Sequence, residues 1–170
     1  MDHHVATAAH GMVVSATTVA SRAGRDVLAA GGNAVDAAIA TGFALAVTYP
    51  VAGNIGGGGF MVIRFPDGRA TTIDFRERAP AAASPTMFLD STGAYSAVIH
   101  HGSLRSVGVP GTVAGFALAH QRYGAARWAR LVDPAVRLAA DGFALPPGVA
   151  ASFVDWRPSL QAYPASTAAF

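Results

Sequence analysis

Residues 53–60 read GNIGGGGF, four consecutive glycines running straight into an apolar, strand-like stretch. A glycine run in that place has two readings: a cradle for phosphate, or a point where main chains pass with no side chain between them. The phosphate reading fails. A P-loop needs a lysine to reach the phosphates, and the chain has none. A dinucleotide fingerprint needs glycines at i, i+2 and i+5 ahead of a helix, whereas the fifth position beyond Gly56 is Met61, inside the strand. Close packing or positive φ remains, and the flanking segments must supply what packs there.

Upstream, residues 11–16 (GMVVSA) are predicted as a short strand, with Thr17 and Thr18 as caps of a helix that follows. Val19, Ala23, Val27 and Leu28 recur at helical spacing, Arg22, Arg25 and Asp26 take the other face, and Gly31 and Gly32 stop the helix. Asn33 then caps a second helix, with Asp36 placed favourably near its positive end. This helix is apolar nearly all round and has to be covered on more than one side. Its apolar run, 34–49, includes Asp36 and Gly42 and falls short of the roughly 20 residues of a membrane span, so a buried helix is expected.

Downstream, residues 60–65 and 70–75 alternate as strands around Pro66, Asp67, Gly68 and Arg69, which predicts a hairpin. In the second strand Thr71, Ile73 and Phe75 share one face and Thr72, Asp74 and Arg76 the other, so Arg76 leaves the strand end beside Asp74. Residues 79–110 read as a long irregular connection, and helices are predicted over 111–123 and 128–141.

The chain has 170 residues of which 52% are hydrophobic, enough for one domain with a sizeable core. Its twelve basic residues are all arginine and are scattered along the chain, against the clustering that nucleic acid requires. With no cysteine there is no disulfide and no cysteine-bearing zinc site. The opening residues MDHHVATAAHGMVV show no cationic segment followed by an apolar one, so no signal peptide is visible and the compartment is left open. The last residues have neither a helix stop nor a polar tail and look cut, an expectation of a longer chain.

Among chemistry-bearing residues, His100 and His101 are expected to point opposite ways in an extended segment with no further ligand nearby, and His3 and His4 lie in a terminus expected to be mobile; no metal site is expected. Ser103, Ser106, Thr112, Thr71 and Thr72 are nucleophiles by type alone, with no G-x-S-x-G elbow to select one. Arg76 stands out because a guanidinium grips a carboxylate through two parallel hydrogen bonds. An ion pair with Asp74 or Glu77 is the structural alternative.

The segments GGNAVDAA (31–38), AGNIGGGGFM (52–61), DFRERAP (74–80), VPGTVAGF (109–116) and DGFALP (141–146), in this order, closely resemble the N-terminal part of the large subunit of γ-glutamyltranspeptidases. The resemblance covers nearly the whole chain from Gly11. It implies an α/β (α+β) fold, a partial αββα sandwich of the N-terminal-nucleophile hydrolase type, incomplete without the C-terminal part. It also implies that residues 1–170 form one incomplete domain of the large subunit. Such a family cuts its precursor so that a threonine begins the small subunit. That threonine attacks a γ-glutamyl amide such as glutathione, its α-amino group can act as base, and the acyl group passes to water, an amino acid or a peptide. No metal or organic cofactor is implied.

Within this stretch the resemblance assigns Arg76 to the α-carboxylate of the γ-glutamyl group and no catalytic residue, so the chain alone is expected to be inactive and to expose the faces its missing part would cover. Many bacterial relatives are exported. An acylase or poly-γ-glutamate amide hydrolase of the same superfamily, and a non-catalytic fragment or binding module, remain as alternatives.

Overall fold

The computed structural model describes residues 5–169. They fall into two compact units, one formed by residues 5–54 with 123–169, the other by residues 55–122. His3 and His4 lie outside the described residues.

The first unit is helical. Helix α1 (Thr18–Ala29) begins where Thr17 accepts a hydrogen bond from the Ala20 N–H at 3.2 Å, and Gly31, at φ 89°, turns the chain out of it. Helix α2 (Ala34–Thr48) starts with a capping box. The Asn33 side chain accepts from the N–H groups of Val35 and Asp36, while the Asp36 carboxylate accepts from the Asn33 N–H at 3.0 Å. Ala20, Ala23 and Ala44 form a small-residue core at which α1 and α2 meet.

Two further helices of this unit are α5 (Trp128–Asp141) and α6 (Pro147–Gln161), with a short α7 (Pro164–Ala169) behind them. The apolar α2 has to be covered on more than one side, and α1 and α5 supply that cover, with Ile39 and Leu131 fully buried. Phe43 meets Trp128 edge to face at 5.5 Å between ring centres. Helices, rather than strands, take up the apolar surface within this unit. Residues 11–16 run extended but join no ladder among the described residues, so the predicted strand is not formed there. A strand exists only through its partner.

The second unit carries strand β1 (Phe60–Arg64) and strand β2 (Ala70–Asp74), antiparallel with Phe60 opposite Asp74 and Arg64 opposite Ala70. Gly68 at φ 89° makes the turn, and Asp67 closes it by accepting from both the N–H and the Nε of Arg69. The Arg69 hydrogen bonds hold the Asp67 carboxyl below its ordinary pKa.

After the hairpin come a short helix α3 (Ala97–Gly102), one turn of 3₁₀ helix and helix α4 (Thr112–Tyr123). Residues 79–110 are therefore not irregular throughout, because Ser96 caps α3 by accepting from the Ile99 N–H. No helix among the described residues is long and apolar enough to cross a membrane.

Candidate functional site

The strand exit 75–78 is built by main chain. Phe75 extends the hairpin pairing, its N–H donating to the Gly59 carbonyl at 3.0 Å, and its ring meets Phe116 of α4 edge on. At α4's start the N–H groups of Gly111 and Thr112 both donate to the Gly57 carbonyl, at 2.7 and 3.0 Å. The glycine run thus satisfies two of the orphan donors of a helix and lies against the strand exit.

A side chain at Gly58 would meet the Phe75 carbonyl oxygen at 2.6 Å and the Glu77 nitrogen at 2.7 Å. One at Gly111 would fall on the Phe75 carbonyl as well. Of the two explanations for the run, close approach is the one used: among the described residues no glycine of 53–59 has positive φ.

Arg76 sits on this clamped segment. Its N–H donates to the Asp74 carboxylate at 3.0 Å, its Nε donates to Glu77 Oε2 at 3.0 Å, and its guanidinium lies 5.9 Å from the Phe60 ring centre. Asp74 therefore fixes the turn of the backbone and Glu77 the orientation of the guanidinium. The two terminal nitrogens of Arg76 have no protein partner among the described residues, and the side chain is 61% exposed. That outer edge matches a carboxylate in the bidentate geometry. Arg76 is among the residues lining a cleft of about 220 Å³, with Asp74, Arg78, Val109, Pro110 and the first turns of α4.

The other candidates are held structurally. His100 and His101 are on α3, not in an extended segment, and their rings stack at 4.3 Å while Tyr95 Oη bonds His100 Nδ1 at 2.8 Å. Among the described residues no group of three or more histidines and carboxylates could hold a metal ion. Ser103 donates to the Ile99 carbonyl and Ser106 to the Ser103 carbonyl, as turn residues do. Thr112 is buried at the start of α4, and Thr71 and Thr72 lie within β2.

Sequence reasoning left Glu77 as one of two ion-pair partners and passed over Arg78. The alternation of 74, 76 and 78 along an extended segment was the available signal for Arg78.

Residues 20–170 match the family model described as gamma-glutamyltranspeptidase. The glutathione hydrolase proenzymes of Pseudomonas sp. (strain A14) and Escherichia coli (strain K12) are 52% and 53% identical to the chain, over 83% and 82% of its length. The chain spans about a quarter of these relatives, 24% of each. The crystal structure of Helicobacter pylori gamma-glutamyltranspeptidase superposes with a TM-score of 0.91 at 42% identity, covering 96% of this chain and 47% of that one. The mixed helix-and-strand architecture is thus that of part of an N-terminal-nucleophile hydrolase of this type. With the family model covering most of its length, the chain belongs to the γ-glutamyltranspeptidase family.

Proposed function

We propose that residues 1–170 are the N-terminal segment of the large subunit of a γ-glutamyl hydrolase or transferase, a single incomplete domain that supplies the donor's carboxylate anchor. The observation that carries this reading is the Arg76 guanidinium, tied at Nε to Glu77 with its two terminal nitrogens free of protein partners among the described residues, on a residue that lines the cleft. A side chain restrained on one edge and open on the other is preorganised for a planar anion. The α-carboxylate of a γ-glutamyl group has that shape.

In this reading a threonine at the head of a small subunit from the same precursor attacks the γ-amide carbonyl. The hydroxyl proton passes to a base and then to the departing amine, leaving a threonine ester. Water, or an amino acid or peptide amine, then attacks the ester and releases the γ-glutamyl group. Arg76 does no bond-making: it fixes one end of the donor so that the amide carbonyl, at the other end, stays at a set distance from the nucleophile. The names of the relatives, glutathione hydrolase proenzymes, support glutathione as a donor and support a processed partner subunit. This stretch alone is proposed to be inactive.

The test is release of p-nitroaniline from γ-glutamyl-p-nitroanilide by the full-length, processed protein, with Arg76→Ala beside it and the 170-residue chain as a separate sample. Turnover by the full-length protein, none by the chain alone, and a raised KM for Arg76→Ala are expected. A KM unaffected by Arg76→Ala would overturn the anchor. Absence of turnover in a processed, soluble protein would instead favour an acylase.

A further inference from the structure

Two residues beyond Arg76, Arg78 lines the same cleft. Its main chain is fixed: the N–H donates to the Val109 carbonyl at 3.3 Å, and the Val109 N–H donates back to the Arg78 carbonyl at 2.8 Å. Its guanidinium has no ion-pair or hydrogen-bond partner among the described residues. The two acids beside it are already engaged, Asp74 by the Arg76 N–H and Glu77 by the Arg76 Nε. A held backbone therefore presents a second arginine with free donors, its Cα at most about 7 Å from that of the first.

An arginine without a carboxylate of its own, beside another whose outer edge is open, suits a ligand bearing two separated anions. We propose that Arg78 sets donor specificity by reading a second carboxylate, on the leaving-group side of the γ-glutamyl amide, while Arg76 holds the α-carboxylate. This rests on the reading of Arg76 given above. The favoured class is γ-glutamyl peptides that end in a free carboxylate, over γ-glutamyl amides whose leaving group is neutral. Because Arg78 is exposed, the attraction is screened, and the preference declines as salt is raised.

The experiment compares kcat/KM of the full-length, processed protein for a γ-glutamyl dipeptide with a free C-terminus and for the same dipeptide amidated. In the unaltered protein the free acid is expected to lead by about tenfold, the scale of one charge-assisted hydrogen bond. Arg78→Gln should bring the ratio towards one, with the loss falling on the free acid, and Arg78→Lys should restore part of it. A ratio near one in the unaltered protein, a ratio unchanged by Arg78→Gln, or an equal loss on both substrates would each overturn the proposal. Arg76→Ala, measured alongside, separates the two readings. If it weakens both substrates while Arg78→Gln leaves the ratio intact, only the second carboxylate falls. If it weakens neither, the donor site itself falls and this proposal with it.

Discussion

The buried carboxylate of Asp36 accepts the main-chain N–H of Ala125, eighty-nine positions further along the chain, at 3.1 and 3.2 Å to its two oxygens. The same group accepts the Ala126 N–H at 3.1 Å and closes the capping box of α2. One side chain therefore starts a helix and pins the segment that leads into α5. Asp36→Asn keeps the shape but turns an amide donor towards these N–H groups. A loss of about 3 kcal/mol is expected, since hydrogen bonds to charged groups contribute about 1.5–3 kcal/mol each and three main-chain donors lose a buried carboxylate acceptor together. Denaturant unfolding of the full-length protein checks it, and a change below about 0.5 kcal/mol would refute the role.

Arg76→Lys retains the charge and removes the planar fork. It should raise KM for the donor by about tenfold, with kcat changed much less, because anchoring is lost in the ground state and the transition state alike. Equal falls in kcat and kcat/KM would show that the arginine acts only in the transition state.

Glu77 accepts from Arg76 Nε and is 33% exposed, and in the proposed reading it positions the guanidinium. In Glu77→Gln the donor KM should rise by a factor of about three, the effect of a partly screened pair, while the melting temperature stays put. A drop in melting temperature without a KM change would assign Glu77 to stability instead.

The four consecutive glycines should not respond alike. Gly58→Ala drives a methyl into the main chain of residues 75–77 and is expected to cost about 1–3 kcal/mol, the range for overpacking, and to raise the donor KM. Gly56→Ala meets nothing within 4 Å and should be close to neutral. Thermal unfolding and donor kinetics of the two variants, side by side, test the close-approach account of the run.

Asp67 and Asp90 report on pH. The Arg69 N–H and side chain hold the Asp67 carboxyl below its ordinary value of 3.8, and the Thr92 hydroxyl and N–H, with the Ala94 N–H, do the same for Asp90. A folded-state value below the unfolded one gives a contribution present above 3.8 and lost as pH falls through the folded-state value. The difference in unfolding midpoint between the unaltered protein and Asp67→Asn or Asp90→Asn should therefore be visible at neutral pH and vanish in acid. A difference that persists in acid would point to shape rather than charge.

Where a local signal also decides the structure, the sequence was readable. Asn33 with Asp36 marks α2, Pro66 to Arg69 marks the hairpin turn, and the helices 111–123 and 128–141 follow their apolar spacing. Residues 11–16 misled because their pattern is that of a strand while a ladder needs a partner that the pattern does not name.

Helix α6 was missed because Pro158 lies within it and its apolar residues do not gather on one face. Pro147, at its first turn, gives up an N–H that would have been unpaired anyway. At the site, Arg76 was legible from its chemistry and its neighbours. The division of labour between Asp74 and Glu77 was not, because both acids stand close to Arg76 in sequence and only geometry separates backbone from side chain.

The strand exit carrying Arg76 is gripped by main chain on main chain, through the glycine loop on one side and the start of α4 on another. Its position is therefore insulated from drift in the surrounding side chains. Directed evolution of donor preference can vary the cleft's projecting groups, Arg78 and Val109 among them, while Arg76 keeps its place; Gly58 and Gly111 are the positions such a library must leave alone.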